Sequence, residues 1–294
     1  MIRTISIPPD AQLEPVLRGY ADANRAKQRK TLLFIAVTAL CTALAVQGAE
    51  IDPLKFWSKI GNFSSYVGRL AHLDTGALGV TDFAEWYWGL RRWLRLLGET
   101  LMIAYVGTIT GFVGGFIGCF LCSRNLTGSV WLRSIVRRLL EFCRTVPDIV
   151  FALIFVSSFG LGAIPGVLAI AIHTTGALGK LFSEVVENID MKPVEGLIAS
   201  GATWFERIRF AVVPQVLSNF ASYALLRLEV NVRGAAVIGI VGAGGIGQEF
   251  ITAVRRFFYS DVSAILLLMV ACVMIIDFIS ERIRYRLLAM DGGR

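Results

Sequence analysis

The stretch PVEGLIASGATWFERIRFAVVP, residues 193–214, lies between two hydrophobic segments and is the most informative part of the chain about its fold. Pro193 suits the first turn of a helix, and Glu195 favours the positive end of a helix dipole. Apolar side chains then recur near helical spacing, at Leu197, Ile198, Ala202 and Phe205. Residues 190–211 are therefore predicted to form a surface helix, which is either an ordinary amphipathic loop helix or a docking element.

The composition places most of the chain in a membrane. Of 294 residues, 55% are hydrophobic and only 17% are charged, which is more apolar surface than a soluble domain of this size buries. Lipid must therefore be part of its solvent. The net charge of +7 does not indicate a nucleic-acid partner, because the basic residues concentrate near predicted helix ends, where lipid headgroups account for them.

Several apolar runs are long enough to cross a bilayer. We predict six transmembrane helices, at residues 31–50, 97–122, 139–160, 164–184, 212–233 and 260–281. An even number of spans puts both termini on one side of the membrane. Because the segments on that side carry the majority of the Arg and Lys residues, both termini are predicted to be cytoplasmic.

These spans divide the chain into four predicted parts: a cytoplasmic N-terminal tail (1–30), a first transmembrane helix with an outer amphipathic segment (31–96), a main transmembrane domain (97–284) and a cytoplasmic tail (285–294). The basic run before residue 31 is not interpreted as a signal peptide, because the apolar run after it is too long. Aromatic residues predict that part of the outer segment is a helix lying in the membrane interface, namely Trp86, Tyr87, Trp88 and Trp93.

The apolar stretch 234–248 is too short for a seventh span, at about 22 Å against a hydrocarbon core of about 30 Å. Gly242, Gly244 and Gly247 spell GxGxxG there, but no βαβ unit surrounds them, so a dinucleotide site is not predicted. We predict instead a glycine-rich turn or half-helix buried among protein. Glycines at four-residue spacings on the second span predict close helix packing, namely Gly107, Gly111, Gly114, Gly115 and Gly118.

Neither a metal site nor an ATP site is predicted on this chain. Cys119 and Cys122 form a CxxC, but they lie in an apolar segment with no second pair, so their thiols are expected to pack as small hydrophobes. The sequence contains no GxxxxGK[ST] phosphate loop. If ATP drives this protein, its hydrolysis is expected on another polypeptide.

Charged and polar residues inside a membrane cost free energy unless they pair with each other or face water, so their presence requires an explanation. We predict that Arg144 pairs with Asp148, and that Arg227 or Arg233 pairs with Glu229. The alternative is that an arginine faces a cavity and attracts an anion transiently. The polar groups that could line such a pathway are Thr145, His173, Thr174, Thr175 and Asn231.

The quoted stretch resembles the cytoplasmic coupling loop of ABC importer permeases. Members of that family carry Glu-Ala-Ala, three residues, Gly, nine residues, Ile, one residue, and Leu-Pro. Here Glu195, Gly201 and Pro214 keep that spacing, whereas Gly196 and Leu197 replace the two alanines. Three further stretches resemble the phosphonate branch of the family: HTTGALGKLFSEVVENID (173–190), RLEVNVR (227–233) and VGAGGIG (241–247).

The resemblance implies an all-α, type I ABC importer transmembrane domain in the bacterial inner membrane, with Glu195, Gly196, Leu197, Gly201 and Pro214 coupling it to an ATPase. It implies a second permease copy, two ATP-binding subunits that hold ATP and Mg²⁺, and an extracytoplasmic protein that delivers phosphonate, phosphate or phosphite. We expect transport by alternating access. The turn containing Gly242, Gly244, Gly245 and Gly247 is expected to help form the outer gate.

Other functions remain open at this point. An importer of amino acids or metal chelates would share the coupling loop. A secondary anion carrier would work without an ATPase and would be expected to show inverted repeats, of which we find no convincing example. A membrane scaffold would leave the coupling spacing as a coincidence.

Overall fold

The computed structural model describes residues 10–50, 52–73 and 81–291, and these residues are helical nearly throughout. The chain divides into two units, Met1–Ser65 and Tyr66–Arg294. In the first unit, α1 spans Asp10–Gly48, and its segment Arg18–Gly48 is long and apolar enough to cross a membrane. Helix α2, Pro53–Ala71, begins there and is amphipathic; Asp52 caps it by accepting from the backbone N–H groups of Leu54 and Lys55.

The second unit contains the remaining helices. They are α3 (Phe83–Trp86), α4 (Leu90–Cys122), α5 (Val130–Thr145), α6 (Asp148–Phe159), α7 (Ala163–Glu187), α8 (Lys192–Ala199), α9 (Trp204–Arg207), α10 (Val213–Gly239), α11 (Ile246–Arg255) and α12 (Tyr259–Asp291), with a π-helical segment, Ile208–Val212, between α9 and α10. Helices α4 and α7 and the segment Tyr259–Arg286 of α12 also have the length and apolarity of membrane spans. Helix α10 is longer than predicted from the sequence, and its 27 residues reach about 40 Å.

The third predicted span, 139–160, is wrong as one helix. Helix α5 ends at Thr145 and α6 begins at Asp148, with Val146 and Pro147 in extended conformation between them. Proline has no N–H to donate, and its ring disfavours helical backbone at the residue before it. The break falls at Pro147 for that reason.

Helices α4 and α7 pack so closely that only glycine fits along one face of α4. A Cβ atom at Gly107 would lie 2.7 Å from Ile170, and one at Gly111 would lie 2.6 Å from Thr174. At Gly115 it would lie 2.9 Å from the backbone nitrogen of Gly179. The predicted role of these glycines in helix packing is thereby confirmed. Small residues at such interfaces let the two backbones approach without hydrogen bonds between them.

Aromatic rings fill the interior toward the α8 end of α7. The Phe182 and Phe220 rings stack with centroids 3.9 Å apart, and both side chains are fully buried. Phe116 and Phe120 of α4 add edge contacts to the same group. Stacked and edge-to-face rings of this kind contribute about 0.5–1.5 kcal/mol per pair beyond their buried area. The cluster therefore joins α4, α7 and α10 into one body.

The aromatic residues 86–93 do not form one amphipathic helix as predicted, because α3 ends at Trp86 and α4, which contains Trp93, begins at Leu90. Their position at the membrane interface stays a prediction. Trp93 is buried, and the indole N–H groups of Trp86 and Trp88 donate to Ser263 and Asp261 on the first turns of α12. These hydrogen bonds attach the segment before α4 to the start of α12. The amphipathic helix of this region is α2 instead.

We predict that Gly115→Leu destabilises the protein by about 1–3 kcal/mol relative to Gly98→Leu, because a side chain at 115 meets the backbone of α7, which cannot move aside. Gly98 is the matched control, since it lies on the same helix and a Cβ atom there meets nothing within 4 Å. Thermal unfolding of the purified chain in detergent measures the difference. Equal stability of the two variants would contradict the α4–α7 packing.

Candidate functional site

Helix α8 contains three of the predicted coupling residues, Glu195, Gly196 and Leu197, and is half embedded in the protein. Its Val194 side chain is 1% exposed and belongs to the same core as Phe182 and Phe220. Glu195 and Gly196 are exposed, and Leu197 packs against that core. Pro193 lies in the first turn, as predicted. A Cβ atom at Gly196 meets nothing within 4 Å, so the departure from alanine at this position removes no contact.

Gly201 ends α8 in a way that requires glycine. Its φ is +83°, which lies in the left-handed region that other residues adopt at a cost. The N–H of Gly201 donates to the carbonyl of Ile198, and the N–H of Ala202 donates to that of Leu197. This pair of bonds is the Schellman motif, which satisfies the last carbonyls of a helix. The coupling spacing therefore fixes where α8 stops and the chain reverses.

The following turn is capped and anchored. The hydroxyl and backbone N–H of Thr203 donate to the Glu206 carboxylate, and these bonds lower the pKa of Glu206 below its ordinary value of 4.5. This capping interaction is fully present above that value and is lost as the pH falls below it. The indole N–H of Trp204 donates to the backbone carbonyl of Leu126, 3.1 Å away, in the α4–α5 loop. The predicted coupling segment is thus attached to the α4–α5 loop.

Pro214 joins α9 to α10 through the π-helical segment. In a regular α-helix the ring of Pro214 would clash with the carbonyl of Phe210 and would leave that carbonyl without a donor. The wider turn of Ile208–Val212 places Pro214 in the first turn of α10, where a missing N–H costs nothing. The helical path consequently continues from Trp204 to Gly239.

Apolar side chains on this segment face outward. Ile198 is 51% exposed, Phe205 77% and Phe210 63%. We call the exposed residues Glu195, Gly196, Ile198 and Phe205 the coupling surface. Exposed aromatic and aliphatic side chains rimmed by polar groups are typical of protein interaction sites.

The glycine-rich turn lies at the other end of α7, next to its first residues. Gly242, Gly244 and Gly245 have positive φ, and all three are buried. The carbonyl of Gly242 accepts from the N–H of Gly162, and the N–H of Ile246 donates to Thr100 of α4. The predicted turn buried among protein is therefore confirmed.

Gly247 packs against Gly239, where a Cβ atom would lie 3.0 Å from the Cα atom of Gly247. The end of α10 and the start of α11 are thus in backbone contact.

A groove runs along one side of α7 and α10. Its lower part, about 540 Å³, lies between the end of α7 and the start of α10. The polar lining residues are Glu184, Asn188, Asp190, Gln215, Asn219 and Tyr223. Its upper part, about 530 Å³, is bounded by α5 and α7 and shares Leu181 and Glu184 with the lower part. The upper lining is Arg144, Thr145, His173, Ala177, Lys180, Leu181 and Glu184. The groove thus extends from the middle of α7 to the end next to α8.

Basic groups concentrate in the upper groove. Arg227 of α10 donates to Nδ1 of His173, and the carboxylate of Asp148 interacts electrostatically with both. Lys180 forms an ion pair of 3.0 Å with Glu184. Arg144 is exposed beside them. The charged side chains of this lining are Arg144, Lys180 and Glu184, so it carries an excess of positive charge, which attracts anions.

The predicted ion pairs are correct in one case and wrong in the other. Arg233 pairs with Glu229 at 2.6 Å on α10, as predicted. Arg144 does not pair with Asp148; within residues 81–291 no ion pair of Arg144 occurs. The break at Pro147 separates the two residues, so a spacing of four no longer places them on one face.

Thr174 and Asn231 lie inside the protein rather than on the groove. Asn231 is 3% exposed, and its amide donates to the hydroxyls of Thr108 and Thr174 at 2.8 and 2.9 Å. These bonds join α4, α7 and α10. In this conformation both predicted pathway residues hold helices together.

Several groove residues were not identified from the sequence. They are Lys180, Glu184, Asn188, Gln215, Asn219 and Tyr223. A signal was present, because polar residues recur every four positions on α10 and mark one helical face. The direction of that face became clear only from its packing against α7.

The chain is similar to known proteins over most of its length. A family model described as "Binding-protein-dependent transport system inner membrane component" matches residues 112–288. The phosphite transport system permease protein PtxC of Stutzerimonas stutzeri is 40% identical over 196 residues, 67% of this chain and 71% of that protein. The putative phosphite transport system permease protein HtxC of the same organism is 31% identical over 277 residues, 94% of each chain.

Solved structures share the fold at low identity. An inward-facing MetNI methionine ABC transporter aligns with a TM-score of 0.57 and 23% identity, over 66% of this chain and 95% of that one. A bacterial ABC transporter involved in alginate import aligns with a TM-score of 0.58 and 14% identity, over 82% and 95%. The predicted type I ABC importer fold is confirmed.

We predict opposite effects from alanine at the two exposed glycines of the α8 region. Gly201→Ala forces a side chain into left-handed backbone and costs about 1–2 kcal/mol, whereas Gly196→Ala favours α8 by up to about 1 kcal/mol. Hydrogen exchange of the α8 amides in the intact protein measures both. Exchange should quicken several-fold in the first variant and slow in the second. The same direction in both variants would rule out the Schellman end.

Proposed function

Because the chain belongs to the family of binding-protein-dependent transport system inner membrane components, we propose that it is the transmembrane permease subunit of an ATP-driven importer for a phosphorus oxyanion. The observation that carries this proposal is the continuous helical path from Phe205 of the coupling surface to α10, whose residues Gln215, Asn219 and Tyr223 line the lower groove. The upper groove adds the cations Arg144 and Lys180. The names of its relatives as phosphite permeases support the choice of cargo.

The coupling surface supports an ATPase partner. ATP and Mg²⁺ would be held by two separate ATP-binding subunits, because the chain contains no phosphate-loop motif of its own. In each permease an ATPase would contact Glu195, Gly196, Ile198 and Phe205, which are exposed. Force applied there would reach α10 through Pro214, since α9, the π-helical segment and α10 are continuous. Gly201 and Leu197 would keep α8 in place during that movement.

The remaining partners are proposed from the family to which the chain belongs. A second permease copy, identical or paralogous, would close the open side of the groove. An extracytoplasmic binding protein would deliver the cargo, and one structural neighbour was solved in complex with a periplasmic protein of that kind. We propose an inner-membrane location with six spans and both termini in the cytoplasm, comprising the tail 1–30, the segment 31–96, the domain 97–284 and the tail 285–294.

In alternating access, the outer gate would lie at one end of α7 and the exit for cargo at the other. The turn with Gly242, Gly244 and Gly245 lies at the end away from α8, where it would form part of the outer gate. The groove opens toward the α8 end, where cargo would leave. His173, Arg227 and Asp148 would line or support the pathway between them, and the Arg233–Glu229 pair would fix α10.

Copurification tests the partnership. We expect the chain, coexpressed with its neighbouring genes, to purify with a stoichiometric ATPase whose activity rises when a binding protein loaded with phosphite, phosphate or methylphosphonate is added. An ATPase without that stimulation would leave the cargo class unsupported. A chain that purifies alone and moves these anions into liposomes without ATP would instead favour the secondary anion carrier as its function.

We also predict that Phe205→Ala lowers ATP-driven uptake at least about ten-fold, because buried aromatic anchors at interfaces contribute about 2 kcal/mol or more to binding. Phe205 is 77% exposed in the chain alone, so the fold should tolerate the change. Trp131→Ala is the control, as this aromatic residue on α5 is 81% exposed and lies outside the coupling surface. Uptake into vesicles with matched protein levels measures the effect, and equal uptake by both variants would remove Phe205 from the coupling surface.

A further inference from the structure

The side chain of Arg144 lies where a transported solute would contact it. It is exposed on the wall of the upper groove, and no ion pair neutralises it within residues 81–291. A Cβ atom added at Gly176 would lie 2.6 Å from the backbone nitrogen of Arg144, so the arginine sits level with the middle of α7. An uncompensated cation at that depth is costly and is usually retained for a function.

Lys180 provides a second cation on the same groove wall. It lies two helical turns from His173 along α7, and its ammonium pairs with Glu184 at 3.0 Å. Both members of that pair line the groove, and Glu184 is exposed. A partly hydrated pair of this kind is weak, so an incoming anion can compete with Glu184 for the ammonium.

Arg227 has a different environment and a different role. Its guanidinium donates to His173 and shares the electrostatic influence of Asp148, and its Nε atom is buried without a partner. It is therefore held in place behind the groove wall. Arg144, which has no ion pair within residues 81–291, and Lys180, which has only its weak pair with Glu184, are the cations that line the groove itself.

We propose that Arg144 and Lys180 form a transient oxyanion station inside the groove, which takes the phosphoryl oxygens of phosphite, phosphate or a phosphonate midway through transport. The inference rests on the proposed function. The guanidinium would donate two parallel N–H groups to two oxygens, and the ammonium would act as a point charge. Competition from Glu184 keeps the station weak, which a pathway needs so that its cargo can leave.

A chemical probe tests the station without relying on transport. Ala177→Cys puts a thiol on the groove wall between His173 and Lys180 in the complete transporter, with the parent chain as background. We expect an anionic, sulfonate-bearing methanethiosulfonate to react about ten-fold faster than a cationic, trimethylammonium-bearing one, after correction for their rates with a free thiol. Millimolar phosphite should slow the reaction of either reagent.

Substitutions of Arg144 then test whether this residue causes the preference of the thiol for the anionic reagent. Arg144→Gln should reduce the anion preference several-fold, and Arg144→Lys should restore part of it. Arg138→Gln should leave it unchanged, because Arg138 lies on the same helix, pairs with Glu141 and does not line the groove. In parallel uptake assays, Arg144→Gln should lower uptake about ten-fold at limiting cargo, with Arg138→Gln at the parent rate.

The outcomes separate the two proposals. In one outcome, the parent complex imports a phosphorus oxyanion while Arg144→Gln changes neither the reagent preference of the thiol, nor its protection by phosphite, nor the uptake rate. That result would overturn the station and leave the permease function standing. If the preference depends on Arg144 but the complex imports no phosphorus oxyanion, the proposed function fails and the cargo named for the station fails with it. Dependence of all three measurements on Arg144 supports the station.

Discussion

The close approach of α4 and α7 is the constraint on which the rest of the second unit depends. Gly111 and Gly115 bring α4 against Thr174 and Gly179, where any side chain would collide with α7. Once these helices are in contact, Thr108 and Thr174 lie near enough for Asn231 of α10 to donate to both. Interhelical hydrogen bonds of this type contribute about 0.6 kcal/mol each in a membrane, so their value lies in setting the register of α10.

That register determines the direction of the polar face of α10. With Asn231 turned inward, the residues Gln215, Asn219 and Tyr223 line the groove together with one face of α7. The same helical path runs back through Pro214 to Trp204 and includes Phe205 of the coupling surface. The proposed docking site and the groove are thus joined by one continuous helix. For a machine that must turn a partner's movement into a change of access, this continuity is the essential property.

Charge in the membrane is handled in two ways. Arg233 and Glu229 neutralise each other one turn apart, which is what an isolated helix permits. Arg144 would have had the same arrangement with Asp148 if the helix had continued, but Pro147 interrupts it. The interruption leaves Asp148 near His173 and Arg227 and leaves Arg144 on the groove wall. A backbone feature therefore decides which of these charges pair within the protein and which lie on the groove wall.

The sequence by itself determined that the protein is helical and embedded in a membrane, where its predicted coupling segment lies, and that the glycines near Gly242 form a turn. These features depend on composition, local spacing and backbone conformation, which are readable along the chain. Only the tertiary structure showed that the break at Pro147 separates Arg144 from Asp148. It also showed that Asn231 points inward, which way the groove runs, and that Trp86 is attached to α12. Each of these depends on which helix faces touch, and residues far apart in sequence set those contacts, so no local pattern records them.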